Sequence, residues 1–483
     1  MKIFIQQWSS VLMTLVMLIP NLLAQQTAGI QQVINYSGFD KASISLFAMD
    51  VKTNEIIYDF QGLKLLAPAS TVKLFSTAYA LDVLGKDYKP TTKLYYQGNV
   101  KDSILNGDIW IVGGGDMSLG SKYFSTDNKD AFLHQWAQKV KASGIKEIHG
   151  NIYVDASDFG YEGAPDGWLW EDVGNYYGAA FTGAMIYDNI LEYHFQTAKA
   201  GSRAQLKYTV PPIDSLTFQN QVLSSTRNGD NCYIYGATYT YNKEGRGTLP
   251  QYSSDFIVKG SMPDPEVMLA SEFQRVLREN HVQLKGIATS TRLATVKRPQ
   301  NTWKPLFEHQ GATIGELIKA TNYESINVFA EGLMRLPVYE EGVQATTTTA
   351  AEHMGNYWKT KLELTDLFLT DGSGLSRSNA VSALAFCRLL TYMQQATDAP
   401  IYFESLPISG ESGTLKNVAK NQAASGKIHA KSGTMKRVKS YAGYAETQSG
   451  RRIAFAFILN NYTCTSKQAT QQLEILMNEL VGM

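Results

Sequence analysis

The sequence predicts an α/β (α+β) fold, in which an antiparallel sheet is flanked by helices and interrupted by inserted, mainly-β domains. Three observations lead to this prediction. Alternating apolar runs occur near both ends of the 483-residue chain, a helical pattern follows each of them, and the long middle consists of short strands and turns. A chain of this length exceeds one ordinary hydrophobic core, so two or three domains are expected.

The first 24 residues differ in composition from the rest of the chain. They hold one cation, Lys2, no acidic residue, the apolar core VLMTLVMLIP and the small residue Ala24 just before QQTAG. This pattern is typical of a cleaved secretory signal peptide, to which residues 1–24 are assigned. A retained membrane anchor is the alternative, although the apolar stretch is shorter than the ~20 residues of a membrane span. In both cases the domain that follows is expected outside the cytoplasm.

A β-hairpin and then a helix are predicted after this segment. ASISLFAMDVKTNEIIYDF contains two alternating apolar runs separated by the turn-prone VKTNE. In PASTVKLF, Pro68 disfavours a helical conformation of the residues before it. Apolar residues then recur at helical spacing, at Val72, Phe75, Tyr79 and Val83. Ser70 is therefore expected at a helix N-terminus, with Lys73 one turn later on the same face.

The middle of the chain, from about residue 95 to about residue 290, predicts inserted domains that divide the first domain in two. It carries short strands and turn-rich clusters such as PPIDS, STRNGDN and NKEGRG. The expected domains are 25–94 with 291–483 for the divided domain, 95–190 with 262–290 for a second, and 191–261 for a third.

The C-terminal part predicts three successive strands and a final helix. The strands are GKIHAKSGT, SYAGYAET and RRIAFAFILNNY, with QSG turning the last pair, and the helix is TSKQATQQLEILMNELVG. The chain therefore begins and ends in sheet flanked by helix.

Composition excludes several classes of function. Basic and acidic residues number 44 each, which gives no indication of a nucleic-acid partner. Three distant cysteines, Cys232, Cys387 and Cys464, predict neither a disulfide framework nor a zinc site, and are expected as small packing residues. The seven histidines form no His-Glu-x-x-His motif, and Gly-x-Ser-x-Gly is absent. A serine mechanism without histidine, metal or cofactor remains.

Ser70 and Lys73 fit such a mechanism. A lysine that is partly desolvated, or close to a second cation, has a lowered pKa and can accept the serine proton, and a helix N-terminus favours the developing negative charge. The spacing alone is weak evidence, because Ser143 and Lys146 repeat it where Gly144 interrupts any helix.

Two further motifs, each present once, decide in favour of the first pair. NYESINVFAEGL supplies a Ser-x-Asn, Ser325 and Asn327, in a helical region, and HAKSGT supplies Lys431-Ser432-Gly433 on a predicted strand. A serine on a helix, a second serine and an amide from another loop, and a cation with hydroxyls on a strand together predict one catalytic site.

With these motifs the sequence resembles the penicillin-binding proteins and serine β-lactamases, and specifically the D-alanyl-D-alanine carboxypeptidase/endopeptidase family of low-molecular-mass class C, peptidase family S13. The stretches GGGDMSL, TDGSGLSRSN, LPISGESGTL and AKSGT add to the resemblance, which covers essentially the whole mature chain. It implies the penicillin-binding, serine β-lactamase-like transpeptidase fold, with large inserted domains between the Ser-x-x-Lys helix and the Ser-x-Asn loop.

The resemblance also implies a role for each site residue. Ser70 is the acylated nucleophile and Lys73 its base, while Ser325 and Asn327 relay protons and position the peptide. The strand residues bind the terminal carboxylate of the substrate: Lys431, Ser432, Gly433 and Thr434. The backbone N–H groups of Ser70 and Thr434 hold the oxyanion.

Three further residues resemble those that receive the free end of a diaminopimelate side chain. Asp172 and Tyr177 lie in GWLWEDVGNYYGAA, and Arg377 lies in DGSGLSR. The free end carries an amine and a carboxylate, for which an Asp and an Arg are apt partners. The alternatives are a helix or turn cap for Asp172 and a structural ion pair for Arg377.

The implied function is that of a secreted, periplasmic serine DD-peptidase acting on peptidoglycan stem peptides. It would cleave D-Ala-D-Ala and D-Ala-diaminopimelate cross-links through an acyl-enzyme, and β-lactam antibiotics would acylate it. A β-lactamase-like hydrolase and a non-catalytic scaffold that binds cell-wall peptides are the alternatives. The sequence leaves open the balance of carboxypeptidase and endopeptidase activity, and the oligomeric state.

Overall fold

A computed structural model describes residues 27–124, 128–299 and 302–483, so the predicted signal peptide lies outside the described residues. In chain order the strands are β1 (Ser43–Asp50), β2 (Ile56–Phe60), β3 (Thr91–Lys101), β4 (Ile104–Gly113), β5 (Glu147–Ile148), β6 (Ile152–Asp155), β7 (Ile190–Gln196), β8 (Gln205–Val210), β9 (Thr217–Ser225), β10 (Asn231–Tyr235), β11 (Asn242–Pro250), β12 (Phe256–Ser261), β13 (Gln283–Leu284), β14 (Ala288–Ser290), β15 (Trp303–Gln310), β16 (Ile428–Met435), β17 (Val438–Glu446) and β18 (Arg452–Asn460).

Helices alternate with these strands along the chain. They are α1 (Ala28–Ile34), α2 (Lys73–Leu84), α3 (Ala131–Ala142), α4 (Pro265–Glu279), α5 (Thr291–Ala294), α6 (Ile314–Glu324), α7 (Asn327–Glu340), α8 (Thr347–Lys361), α9 (Ala383–Gln395), α10 (Ala399–Glu404) and α11 (Ser466–Val481). Across the described ranges, every helix is too short or too polar to cross a membrane.

The two ends of the chain meet in one antiparallel sheet. Its strand order is β16-β17-β18-β1-β2, so the predicted hairpin and the three predicted C-terminal strands are confirmed. One face packs against α9 and shares an apolar core with α2 and α7, and the other face has a separate apolar core with α1 and α11. β16 lies at the edge of this sheet, with Ser432 partly exposed and Thr434 exposed.

Helix α2 lies in the centre of the larger core. Its residues from Lys73 to Leu81 are all buried, and it contacts α6, α7, α8 and α9. A helix that is buried on every side must be apolar around most of its circumference, which suits the sequence LFSTAYAL. Gly85, with φ +78°, ends it. The helix predicted after Ser70 is therefore confirmed, and it lies in the middle of the core.

The middle of the chain forms three further sheets. A seven-stranded sheet has the order β13-β5-β4-β3-β15, with β6 paired to β4 and β14 paired to β6. Two three-stranded sheets have the orders β12-β7-β8 and β10-β11-β9. The α/β fold with mainly-β insertions is thereby confirmed. Strand β15 pairs with β3 in the seven-stranded sheet, although the sequence-based boundary placed residues from 291 onward in the divided domain.

The three cysteines are free thiols in the structure. Cys232 and Cys387 are buried, and Cys464 is partly exposed. Cys387 lies fully buried in the core around α2 and α9.

Candidate active site

Ser70 lies in a tight turn that leads directly into α2. The turn is a 3₁₀ helix over Ala69–Val72, and the α-helix begins at Lys73. Ala69 adopts a positive φ of 52°, a strained conformation for a residue with a side chain. The expected proximity is confirmed, because Lys73 Nζ lies 3.0 Å from Ser70 Oγ.

Lys73 is completely buried, and two oxygens accept hydrogen bonds from its amine. Asn327 Oδ1 and the backbone carbonyl oxygen of Ser373 each lie 2.6 Å from Nζ. A neutral amine has two N–H bonds and one lone pair. With both N–H bonds directed at these oxygens, the lone pair of neutral Lys73 faces Ser70 Oγ, as a general base requires.

The electrostatic environment favours that neutral form. Burial lowers the pKa of Lys73 from its ordinary value of 10.5 to about 7, although the nearby carboxylates of Asp371 and Glu331 oppose this effect. Burial and the proximity of Asp371 raise the pKa of Glu331 to about 7. Lys73 and Glu331 therefore change charge in the same pH range.

Glu331 and Asp371, which the sequence analysis did not single out, shape the loop beneath Lys73. Glu331 accepts hydrogen bonds from the backbone N–H groups of Gly372 and Ser373. Asp371 accepts from the N–H groups of Gly374 and Ser376, and from the side chains of Trp168 and Asn379. These bonds hold the Ser373 carbonyl oxygen against the amine of Lys73. Glu331 lies four residues after Asn327 on α7, which is the only sequence signal that points to it.

Ser325 and Asn327 enter the site from the junction of α6 and α7. Ser325 is left-handed, with φ +61°, and lies between the two helices instead of inside one. It lines the same cavity as Ser70. Asn327 is the first residue of α7, and its Nδ2 donates to the backbone carbonyl of Tyr177 at 2.7 Å. An inserted domain therefore fixes the orientation of this amide.

Strand β16 passes close to the turn that carries Ser70. A Cβ atom on Gly433 would lie 2.6 Å from the carbonyl oxygen of Pro68 and 3.0 Å from the backbone nitrogen of Ser70, so only glycine allows this approach. Ser440 Oγ on β17 donates to the same Pro68 oxygen at 2.5 Å. Lys431 is completely buried, its Nζ donates to the Ser432 carbonyl, and both burial and the charge of Lys73 lower its pKa.

Asp172 and Tyr177 form a hydrogen-bonded pair close to Asn327. Tyr177 OH donates to Asp172 Oδ1 at 3.1 Å. Burial raises the pKa of Asp172, while the hydrogen bond from Tyr177 and the charge of Arg377 lower it. Arg377 is exposed, and its two terminal nitrogens lie 3.4 Å from the Lys436 carbonyl oxygen. The structure thus brings Asp172, Tyr177 and Asn327 together and leaves Arg377 at the rim.

Comparison with known proteins agrees with this geometry. The family model described as D-Ala-D-Ala carboxypeptidase 3 (S13) family matches residues 26–481. The chain belongs to this family. It is a serine-type DD-peptidase.

Relatives and solved structures extend the comparison over nearly the whole chain. A D-alanyl-D-alanine carboxypeptidase from Actinomadura sp. is 27% identical over 470 residues, which cover 94% of this chain and 84% of the relative. The carboxypeptidase DacB from Haemophilus influenzae is 24% identical over 438 residues, with 87% and 86% covered. The crystal structure of penicillin binding protein 4 from the same organism has a TM-score of 0.79 at 22% identity, covering 94% of this chain and 99% of that one. A predatory peptidoglycan endopeptidase from Bdellovibrio bacteriovorus has a TM-score of 0.51 at 14% identity, covering 91% and 93%.

Proposed function

We propose that this S13-family peptidase cleaves the D-Ala-D-Ala bond of peptidoglycan stem peptides through an acyl-enzyme on Ser70, and that penicillin acylates the same oxygen. The observation that carries the proposal is the position of Lys73 Nζ, 3.0 Å from Ser70 Oγ and bonded to two fixed acceptors. An amine held in this way can take a proton from only one direction.

In the acylation step, neutral Lys73 removes the proton of Ser70 as Oγ attacks the carbonyl carbon of the scissile bond. The backbone N–H groups of Ser70 and Thr434 stabilise the oxyanion that forms. The proton passes from the Lys73 ammonium, through Ser325, to the nitrogen of the departing D-alanine. Water then attacks the ester, which restores Ser70 and releases the shortened peptide.

Strand β16 supplies the partners for the terminal carboxylate of the substrate. Ser432 and Thr434 present hydroxyl groups to the cavity, and Ser432 Oγ donates to Thr414 Oγ1 at 3.0 Å. Lys431 is buried beside them, and a bound carboxylate would favour its charged form. The carboxylate thereby sets the scissile carbonyl opposite Ser70.

On the other side of the scissile bond, Asp172, Tyr177 and Arg377 are proposed to receive the free end of a diaminopimelate side chain. The half-buried carboxyl of Asp172 would bind the amine of that end, and the exposed guanidinium of Arg377 would bind its carboxylate. Cleavage of cross-links formed through diaminopimelate is part of the same proposal.

Export is proposed together with this function. The substrate lies outside the cytoplasmic membrane, and the sequence of residues 1–24 is typical of a signal peptide. Periplasmic action after removal of this segment is therefore proposed.

The proposal is tested with purified protein, labelled penicillin and a muropeptide that ends in D-Ala-D-Ala. We expect a stable label on the protein and release of D-alanine from the muropeptide. A label that turns over within seconds, without peptide cleavage, would instead indicate a β-lactamase-like hydrolase. Binding of muropeptides with neither label nor cleavage would indicate a scaffold.

The pH dependence of acylation follows from the lowered pKa of Lys73. Only the neutral amine accepts the proton of Ser70, so the rate constant for penicillin acylation should rise with pH up to about 7 and then level off. Stopped-flow measurement between about pH 5 and about pH 9 checks this expectation. A rate that continues to rise tenfold per pH unit above pH 8 would show that the amine keeps its ordinary pKa.

A further inference from the structure

The cavity that contains Ser70 continues beyond the residues assigned above. It has a volume of about 700 Å³ and extends from Ser70 and Ser325, over the hydroxyl groups of β16, to the first turns of α11. The far part is lined by the loop around Asn417 and by Lys467 of α11. Asp172, Tyr177 and Arg377 do not line it. A cavity of this size accommodates a ligand much larger than a single alanine.

The far part of the cavity carries an excess of positive charge. Lys420, Lys439 and Lys467 line it, and Glu474 is its one acidic residue in the part of the chain that the structure describes. Glu474 is already bound on both oxygens, since Oε1 accepts from the backbone N–H of Ala419 at 2.8 Å and Oε2 accepts from Gln422 at 3.0 Å. The charge of Glu474 offsets one of the three lysine charges, so the lining keeps a net positive charge for a ligand.

Lys439 joins this region to the catalytic strand. Lys439 lies on β17, directly opposite Thr434 of β16, and is 9% exposed. Its Nζ donates to Thr434 Oγ1 at 3.1 Å. Because Thr434 Oγ1 accepts this hydrogen bond, its O–H group can donate to a carboxylate. Burial lowers the pKa of Lys439, and the charge of Glu474 raises it. A bound carboxylate would act in the same direction as Glu474.

The position of the lysines relative to the scissile bond indicates what they bind. This step rests on the proposed function, in which Ser432 and Thr434 hold the carboxylate of the residue that leaves. Groups attached to that residue then extend past Thr434 toward Lys439 and α11. A single D-alanine fills little of a cavity of about 700 Å³, whereas a second peptide strand with further carboxylates would extend to the exposed lysines.

We propose that the cavity between β16 and α11 is the binding site for the leaving peptide strand of a cross-linked substrate, and that Lys420, Lys439 and Lys467 bind carboxylates of that strand. The enzyme would therefore distinguish cross-linked peptides from single stem peptides on the leaving side of the bond.

The test compares two substrates: a monomeric muropeptide that ends in D-Ala-D-Ala, and a dimeric muropeptide cross-linked through D-Ala. In the double variant Lys420→Gln/Lys467→Gln, we expect the ratio of kcat/KM for dimer to kcat/KM for monomer to fall about fivefold, mainly through KM of the dimer. The matched control is Lys416→Gln, an exposed lysine of the same loop that does not line the cavity. It should leave the ratio unchanged.

Salt supplies a second measurement. Because the lysines at the rim are exposed, added salt should raise KM for the dimer in the wild type and raise it less in the double variant. An unchanged ratio in the double variant, or a wild type that cleaves the monomer and not the dimer, would overturn the leaving-strand site while the DD-peptidase function stands. A wild type that cleaves neither substrate and takes no penicillin label would overturn the proposed function itself.

Discussion

Replacement of Ser70 by alanine should abolish covalent labelling by penicillin and reduce release of D-alanine at least about a thousandfold. The variant removes the hydroxyl oxygen that lies 3.0 Å from Lys73 Nζ and that forms the ester in the proposed reaction. Among the described residues, Lys73 is the one side chain that forms a hydrogen bond with Ser70 Oγ, so few contacts are lost in the variant. The melting temperature should therefore stay within about 3 °C of the wild type.

The chain contains its own control for this experiment. Ser143 also precedes a lysine by three residues, but it caps the end of α3 and its Oγ donates to the Lys139 carbonyl. Ser143→Ala should be labelled by penicillin and should release D-alanine like the wild type. Penicillin label on Ser70→Ala, located by peptide mapping on another serine, would refute the assignment.

Replacement of Lys73 by methionine should slow acylation by about a hundredfold to ten-thousandfold, because the proton of Ser70 loses its acceptor. Lys73→Arg distinguishes a role of Lys73 as a base from a role as a source of positive charge. Arginine stays protonated, so it keeps the positive charge but cannot accept the proton of Ser70. If Lys73 acts as a base, Lys73→Arg should therefore be acylated as slowly as Lys73→Met. Labelling kinetics with penicillin, read together with thermal unfolding, measure both variants.

The matched control here is Lys146→Met, at the lysine of the second Ser-x-x-Lys. Penicillin should acylate this variant at the wild-type rate. If Lys73→Arg retained wild-type acylation, Lys73 would be a source of charge and not the base.

How far the sequence predicts the site depends on the distance over which each contact acts. Ser70 and Lys73 lie one turn apart, so their proximity follows from local helix geometry, and the structure confirms it. The contact between Asn327 and the backbone of Tyr177 joins positions 150 residues apart, and no local pattern indicates it. The family resemblance assigned both residues to one site, but it did not indicate their direct contact.

The buried carboxylates show a second limit. Glu331 and Asp371 are types of residue that normally face water, so in a sequence they are typical of a solvated helix face and a turn. Only the packing of α7 against the loop after Leu369 reveals that both are completely buried beneath Lys73. The αL conformation of Ser325 was also missed, because the helical pattern of residues 314–340 continues on both sides of it.

The strand order of the first sheet determines when during synthesis an active enzyme can exist. β16 reaches the hairpin β1-β2 only through β17 and β18, which are made after it, and Arg451 just before β18 pairs with Asp50, 401 residues earlier. The two three-stranded sheets use only strands between residues 190 and 261, so they can form earlier on the growing polypeptide. A nascent chain that stops before residue 452 therefore carries Ser70, Lys73 and Lys431 but lacks β18, the strand that joins β16 and β17 to β1 and β2, so we expect it to be inactive.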